Sequence, residues 1–363
     1  MSQPTEHSAA RAAVPAGALP PGTPPPGALP PGSLPTSSDV ARLAGVSRAT
    51  VSYVLNGITA VRISEPTRLR VREAAERLGY VPHAAARSLR AGHTRTVLLP
   101  TGHVPVGPLY SRILDEFQRA LRLLGYTVVQ YGGLGLDAAG AARAWAELRP
   151  VAVVSLGETT LTPEAVDLLK RSGARAVITL GSRRIAGTHA LVMDQRTIGG
   201  RAVGHLVARG RRSIGVVMPE EPGLELYAAP RLAGARAAAG APGAAVRVTP
   251  LPLAYTEEAA AALAARWRGL GLDAVFAYND EYAMLLMRAL QDEGIGVPAR
   301  TAVIGADDLL LGRLLRPRLS TVRVDMATGP RLAQLVDRAV RDPAAEPERY
   351  DLMGARVVHR ESS

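Results

Sequence analysis

A small all-helical head followed by a two-lobed α/β core is the architecture the sequence predicts, and three observations predict it. Residues 36–80 place apolar side chains at helical spacing between capping residues and glycines. From about residue 95, short β-rich runs alternate with amphipathic helices. That alternation occurs in two successive series, one starting at Thr96 and the other at Ser213. Strands alternating with helices of this length argue for parallel sheets. Two series of four or five strands argue for two similar lobes, with a ligand cleft at the strands' carboxyl ends.

The head begins with "DVARLAGVSRATVSYVLNG", residues 39–57. Val40, Leu43 and Ala44 recur at i, i+3, i+4, and Val51, Val54 and Leu55 repeat the spacing one helix later. Gly45 stands between them where the first helix needs a left-handed closing residue. Thr36 can cap the first helix with Asp39 three places on, close to a capping box, and Ser47 can cap the second. The pair is therefore a helix–turn–helix that buries 51, 54 and 55 and presents Arg48, Ala49, Ser52 and Tyr53 to solvent. A soluble bundle needs nothing there. A loop, Gly57–Ile63, leads to Ser64 as a cap and a third helix with Val71, Ala75 and Leu78 buried and Gly79 closing it.

"PHAAARSLRAG", residues 82–92, suits a helix led by Pro82, yet about two turns are marginal alone in water. In the core, TVLLP at 96, YTVVQY at 126, VAVVSL at 151 and RAVITL at 175 read as strands of the first series. SIGVVMP at 213, VRVTPL at 246, AVFAYN at 274, TAVIGAD at 301 and STVRVD at 320 form the second. The helix at 109–124 carries its stripe on Tyr110, Ile113, Phe117, Leu121 and Leu124.

Composition bounds the function. The chain has 363 residues and 47% hydrophobic content, enough for two or three domains, with no run of apolar residues suited to a membrane span. The N-terminus lacks the features of a signal peptide, so a cytoplasmic protein is expected. With no cysteine there are no disulfides or thiolate metal sites, and the histidines form no i, i+4 pairs; neither cofactor nor metal is expected. Residues 1–35 hold ten prolines and four glycines and read as a disordered tail. The net charge of +11 is uneven. Residues 37–92 hold nine arginines against four acids, several times the excess density of residues 93–363, as expected of a part that meets phosphates or of a solvated helical face.

Together these residues resemble the lactose-repressor (LacI/GalR) family of bacterial transcription regulators. The specific part is "DVARLAGVSRATVSYVLNG…ISEPTRLRV…LGYVPHAAARSLRAG". The core match is looser but ordered, through "MDQRTIGGRAVGHLVARGRRSIGVV", "RLAGARAA", "VFAYNDEYAM", "VIGADD" and "LSTVRVD". The resemblance implies a helix-turn-helix domain at 36–81, a hinge helix at 82–93, and a periplasmic-binding-protein-like core of two parallel-sheet lobes at 94–363. It implies a homodimer on a palindromic operator in double-stranded DNA, with repression the family's default.

In that reading helix 47–55 enters the major groove. Arg48 can donate two hydrogen bonds to a guanine, Ala49 can pack on a thymine methyl, and Tyr53 can reach a base edge or phosphate. Ser47, Thr50, Ser52 and Asn56 suit phosphate-side contacts, with capping as the competing role for Thr50 and Asn56. The hinge, by resemblance, folds on the operator as a symmetric pair, with Ala86 and Leu89 as the minor-groove wedge, Arg87 on phosphates, and His83 where the family usually has asparagine. The competing role for Leu89 is a linker residue packed on the core.

Carried over motif by motif, Arg231, Asn279 and Asp307 match the residues that hold the small-molecule effector, a sugar or related metabolite. A donor fork, an amide and a carboxylate together suit a polyol or small anion. Asp194 has two readings, effector contact or helix cap, and so has Asp307. "TGHVPVGPLY" departs from the family's first loop, and Ala306 replaces a common aromatic. With two Phe and two Trp in the chain, the sequence nominates no ring for stacking on a sugar.

Three other readings compete. A periplasmic sugar-binding protein shares the core but has no use for residues 36–92. An NAD-dependent enzyme would use Gly133, Gly135 and Ala138, a G-x-G-x-x-A spacing after a strand, but no acidic residue ends a following strand convincingly. A dimerising domain without DNA binding conflicts with the arginine density of the head.

Overall fold

The computed structural model describes residues 33–58, 61–81, 94–101, 107–132, 135–156, 161–181, 185–240, 245–351 and 353–363. The chain divides into two compact units between Arg87 and Ser88, within the segment read as the hinge.

The head consists of α1 (Ser37–Ala44), α2 (Arg48–Leu55) and α3 (Glu65–Leu78). Val40, Ala44, Val51, Val54, Val71, Ala74 and Ala75 form its buried centre, with Leu43, Leu55 and Leu78 partly buried around it. The predicted stripes are thus the ones that pack. Thr36 and Asp39 form the reciprocal box: the Thr36 amide donates to Asp39 Oδ2 at 3.0 Å and the Asp39 amide to Thr36 Oγ1 at 3.4 Å. Ser47 Oγ accepts the Thr50 amide at 3.1 Å. Gly45 closes α1 at φ +64°, where any side chain would be strained. Ser64 occupies the cap position of α3 but makes no capping bond to its backbone; its hydroxyl meets Thr67 Oγ1 at 2.9 Å instead.

In the core, β1 (Thr96–Thr101), α4 (Pro108–Leu123), β2 (Thr127–Gly132), α5 (Ala138–Glu147), β3 (Ala152–Leu156), α6 (Pro163–Arg171), β4 (Ala176–Gly181) and β5 (His189–Val192) build the first lobe. The second lobe holds α7 (Gln195–Ala208), β6 (Ser213–Pro219), α8 (Glu225–Ala239), β7 (Arg247–Leu253), α9 (Glu257–Ala265), α10 (Trp267–Leu270), β8 (Ala274–Phe276), α11 (Asp280–Asp292), β9 (Ala302–Ala306) and β10 (Ser320–Met326). The chain then returns. Helix α12 (Gly329–Arg341) packs on α4, β11 (Arg349–Asp351) joins the first sheet beside β5, and β12 (Met353–Val358) joins the second beside β10.

Each sheet therefore has six strands, in the orders β11-β5-β4-β3-β1-β2 and β12-β10-β9-β8-β6-β7. All pairs are parallel except β10 with β12. Central strands are buried on both faces, as the continuous apolar runs of Leu98, Leu99, Val153, Val154, Val303 and Ile304 require. The sequence series missed β5, β11 and β12. The return is enforced by shape. A Cβ on Gly329 would lie 2.4 Å from the Glu116 carbonyl carbon and the Phe117 amide, so glycine is what lets α12 start against α4. Three chain crossings, near Met193, Met326 and Met353, connect the lobes.

Candidate functional site

On the head, α2 buries Val51 and Val54 and leaves Ser47, Arg48 and Ala49 exposed, with Thr50, Ser52 and Tyr53 half-buried beside them. Arg48 and Ala49 occupy the first turn, where a helix points its free amides and its positive dipole end outward. Thr50 is drawn into the cap, its hydroxyl 3.0 Å from Ser47 Oγ. Asn56 closes α2: its Nδ2 donates to the Ser52 carbonyl at 2.7 Å and to Ser52 Oγ at 3.1 Å. Its Oδ1 is buried and accepts no hydrogen bond among the described residues. Both side chains thus follow the capping alternative. His83, Ala86, Arg87 and Leu89 lie outside the described residues.

The two lobes of the core enclose a cavity of about 330 Å³. Leu109, Tyr110 and Leu114 of α4 line it from the first lobe. From the second come Gln195, Glu221, Arg231, Asn279, Glu281 and Asp307. The crossings supply Met193, Met326 and Met353. It lies where the strands' carboxyl ends of both sheets meet, as parallel α/β lobes place their ligands.

Arg231 is buried at the centre of the polar wall. Its Nε donates to Gln195 Oε1 at 2.9 Å, its Nη1 donates to the Tyr278 carbonyl, and its guanidinium carbon lies 4.6 Å from the Tyr278 ring centroid. Asn279 lines the cavity while capping α11, accepting the Tyr282 amide at 3.0 Å and donating from Nδ2 to Glu281 Oε2 at 3.2 Å. Asp307 caps no helix. It sits after β9 at φ +102°, a conformation costly for any side chain, with its amide on the Val322 carbonyl at 2.9 Å. Burial pushes its carboxyl above the usual range, opposed by Arg231 and reinforced by Glu281.

Asp280 holds that turn in place. Its carboxylate accepts Thr321 Oγ1 at 2.6 Å and the Leu309 amide at 2.7 Å, binding the start of α11 to the β9–β10 connection. Burial, against those two hydrogen bonds, raises it to about 7. Asp308, at φ +54°, is paired with Arg313 at 2.9 Å and with Arg360.

Asp194 takes the cap reading: it accepts the Arg196 amide at 3.0 Å and Thr197 Oγ1 at 2.7 Å, and it does not line the cavity. Its neighbour Gln195 does, bonded to Arg231. Sequence reasoning also missed the aromatics. Tyr110, Tyr227, Tyr255, Tyr278 and Tyr282 all line the cavity, half of the chain's ten tyrosines, so stacking rings are present after all. Tyr282 packs at 5.0 Å on Tyr255 and edge-on at 5.6 Å to Tyr278. Its hydroxyl donates to Glu221, which also accepts the Tyr255 amide; these bonds outweigh burial and hold Glu221 below the usual carboxylate range.

What positions Arg231 is a pair of helices in backbone contact. A Cβ on Gly199 of α7 would lie 1.8 Å from the Arg231 carbonyl oxygen, and one on Gly234 of α8 would lie 1.9 Å from that of Arg196. Only glycine permits this approach, which sets Gln195 and Arg231 side by side.

The profile of the lacI family of bacterial regulatory proteins matches residues 36–83, and that of the periplasmic binding protein-like domain matches residues 203–363. The chain is 30% identical over 334 residues to the HTH-type transcriptional regulator GalR of Escherichia coli K12, covering 90% of this chain and 95% of that protein. The chain belongs to the lacI family. It is 30% identical over 339 residues to the HTH-type transcriptional repressor PurR of Vibrio cholerae, covering 90% and 97%. Among solved structures, the lac repressor dimer bound to operator and the anti-inducer ONPF superposes with a TM-score of 0.72 at 22% identity, covering 91% of this chain and 99% of that one. The CelR–cellobiose complex gives 0.60 at 27% identity, covering 91% and 100%. This lacI-family chain is a DNA-binding transcriptional regulator, with the helical head and two-lobed core of that fold. No helix among its described residues is long and apolar enough to cross a membrane.

Proposed function

We propose that the protein binds a palindromic operator as a homodimer through α2, and that a small molecule in the cleft between the core lobes tunes that grip. The observation that carries the reading is the face of α2. Its apolar side is consumed by the head's core, while Arg48 and Ala49 stand exposed at its first turn beside Tyr53. Arg48 reads a guanine edge, Ala49 a thymine methyl and Tyr53 a base or phosphate, with Ser47 and Ser52 on the backbone. Thr50 and Asn56 shape the helix ends rather than donate to DNA. The lac repressor dimer bound to operator supports the dimer, and a two-fold protein implies a two-fold site. The hinge reading of residues 82–93, with Ala86 and Leu89 as wedge and Arg87 and His83 at the backbone, belongs to the same proposal.

In the core, Arg231, Asn279, Asp307 and Gln195 form the polar wall of the effector site and the tyrosines its stacking surface, with Asp194 a cap. We read the protein as a repressor, the family's default, acting in the cytoplasm. The protein is a regulator and not an enzyme. At the G-x-G-x-x-A spacing, Asp137 caps α5 and accepts the Gly140 amide at 2.7 Å, placing a carboxylate where a dinucleotide's pyrophosphate would need free amides. Selection from random duplexes by the full chain, followed by gel shifts, tests the proposal. A preferred palindrome bound at two-to-one stoichiometry is expected; no preference over random DNA would end it.

A further inference from the structure

Among the described residues, the lining of the cavity between the lobes carries three carboxylates and one guanidinium. Glu221, Glu281 and Asp307 line it against Arg231. Arg231 already gives Nε and Nη1 to protein acceptors and lays its face on Tyr278. Three of its five N–H donors remain, but a phosphate or carboxylate that reached them would meet three acids along the described lining. The three are engaged to different degrees. Glu221 holds the Tyr282 hydroxyl and the Tyr255 amide. Among the described residues, Glu281 accepts only the Asn279 side-chain Nδ2, at 3.2 Å, and the Asp307 carboxylate accepts no hydrogen bond.

These last two face one cavity closely enough for the charge of Glu281 to add to burial in raising Asp307. Tyr255, half-exposed at 49%, lies close enough to Glu281 for that charge to act on its phenol, and it leans on Tyr282 at 5.0 Å. Under-satisfied carboxylates beside an aromatic ring form the surroundings that attract an organic cation, through charge-assisted hydrogen bonds and through the ring face.

We propose that the effector carries a protonated amine, held by Glu281 and Asp307 with the Tyr255 ring beside it, and hydroxyls that reach Arg231 and Asn279. Its class is an amino sugar or a similar polyhydroxylated amine, and a cavity of about 330 Å³ suits a molecule of that size. This rests on reading the cleft as the effector site.

The test is titration calorimetry on the full chain with glucosamine, galactosamine and mannosamine. Their parent hexoses, their N-acetyl derivatives and glucose 6-phosphate serve as comparators. At least one free hexosamine should bind about tenfold or more tighter than its hexose and its N-acetyl form, the value of one charged hydrogen bond. Glu281→Gln should shrink that preference severalfold and Glu281→Asp should retain part of it, with the melting temperature of each unliganded variant reporting that it folds. The preference should also fade as pH rises and the amine loses its proton. Equal or tighter binding of hexose, N-acetyl form or phosphate, no binding by any hexosamine, or a preference that survives Glu281→Gln in a folded protein would overturn the proposal. If operator selection succeeds while these fail, only the amine is wrong.

Discussion

The backbone contact between α7 and α8 makes Gly199→Ala the sharpest test of how the core is built. A methyl group there would sit 1.8 Å from the Arg231 carbonyl oxygen and 2.6 Å from its carbon. Ordinary contact needs nearly twice that separation, so the helices must part by about 1.5 Å. The obstacle is backbone, and no rotamer change relieves it. Overpacking of a core costs about 1–3 kcal/mol, and a rigid obstacle puts this case near about 3 kcal/mol. At about 2–4 °C per kcal/mol for a unit of this size, the melting temperature should fall by about 6–12 °C.

The same parting acts on the site, because Gln195 opens α7 and Arg231 sits on α8, joined at 2.9 Å. Stretching that bond by the full displacement breaks it, and effector affinity should fall about tenfold or more. Gly204→Ala is the internal control. It lies on the same helix with nothing within 4 Å of its would-be Cβ, so helix propensity should make it neutral or stabilising by about 0.5–1 kcal/mol. Differential scanning calorimetry of the two variants decides the matter. If Gly199→Ala melts no lower than Gly204→Ala, the helices do not meet as described and the positioning of Arg231 needs another cause.

Arg48→Ala should lower discrimination at one base pair of each operator half-site by about 1–3 kcal/mol, read from competition gel shifts with single-base variants; a uniform loss across all sequences would make Arg48 a phosphate contact. Thr36→Ala removes one half of the box that starts α1 and should cost the head about 1 kcal/mol, seen as faster amide exchange in α1 of the full chain; unchanged exchange would mean the box contributes nothing. Asp280 gives a pH dependence. Its folded value near 7 exceeds the ordinary 3.8, so its contribution is full below about pH 4 and is lost as pH rises through about 7. Urea midpoints of the core should decline over that window by up to about 4 kcal/mol equivalent, and Asp280→Asn should flatten the slope; a slope unchanged by the substitution would place the titration elsewhere.

The head was legible because every device that forms it is local. The stripes at 40/44, 51/54 and 71/75, the Thr36–Asp39 box and Gly45 act within a few residues, so their spacing in sequence is their spacing in space. The central strands were legible for a related reason: a strand buried on both faces must be apolar throughout. The strands that escaped, β5, β11 and β12, are short, lie towards the β11 or β12 end of their sheets, or carry alternating exposed residues. RYD in β11 has no local apolar signal at all and is a strand because α12 carries the chain back to the first lobe.

The site divides along the same line. Arg231, Asn279 and Asp307 sit in recognisable motifs, but the tyrosines come from α4, α8, the turn after β7, the segment between β8 and α11, and α11 itself, and nothing local declares that they converge. The pair Tyr278 and Tyr282, four apart across the start of α11, was the one signal available. The exchange of Asp194 for Gln195 is a matter of one residue in helix phase. In "MDQRT" the last residue before the helix turns its carboxylate back on the free amides, and the first residue inside it points across to α8. Either polar side chain could bind a ligand by chemistry. Which one faces the cavity follows from where the helix begins, and the amides that a cap must satisfy set that start.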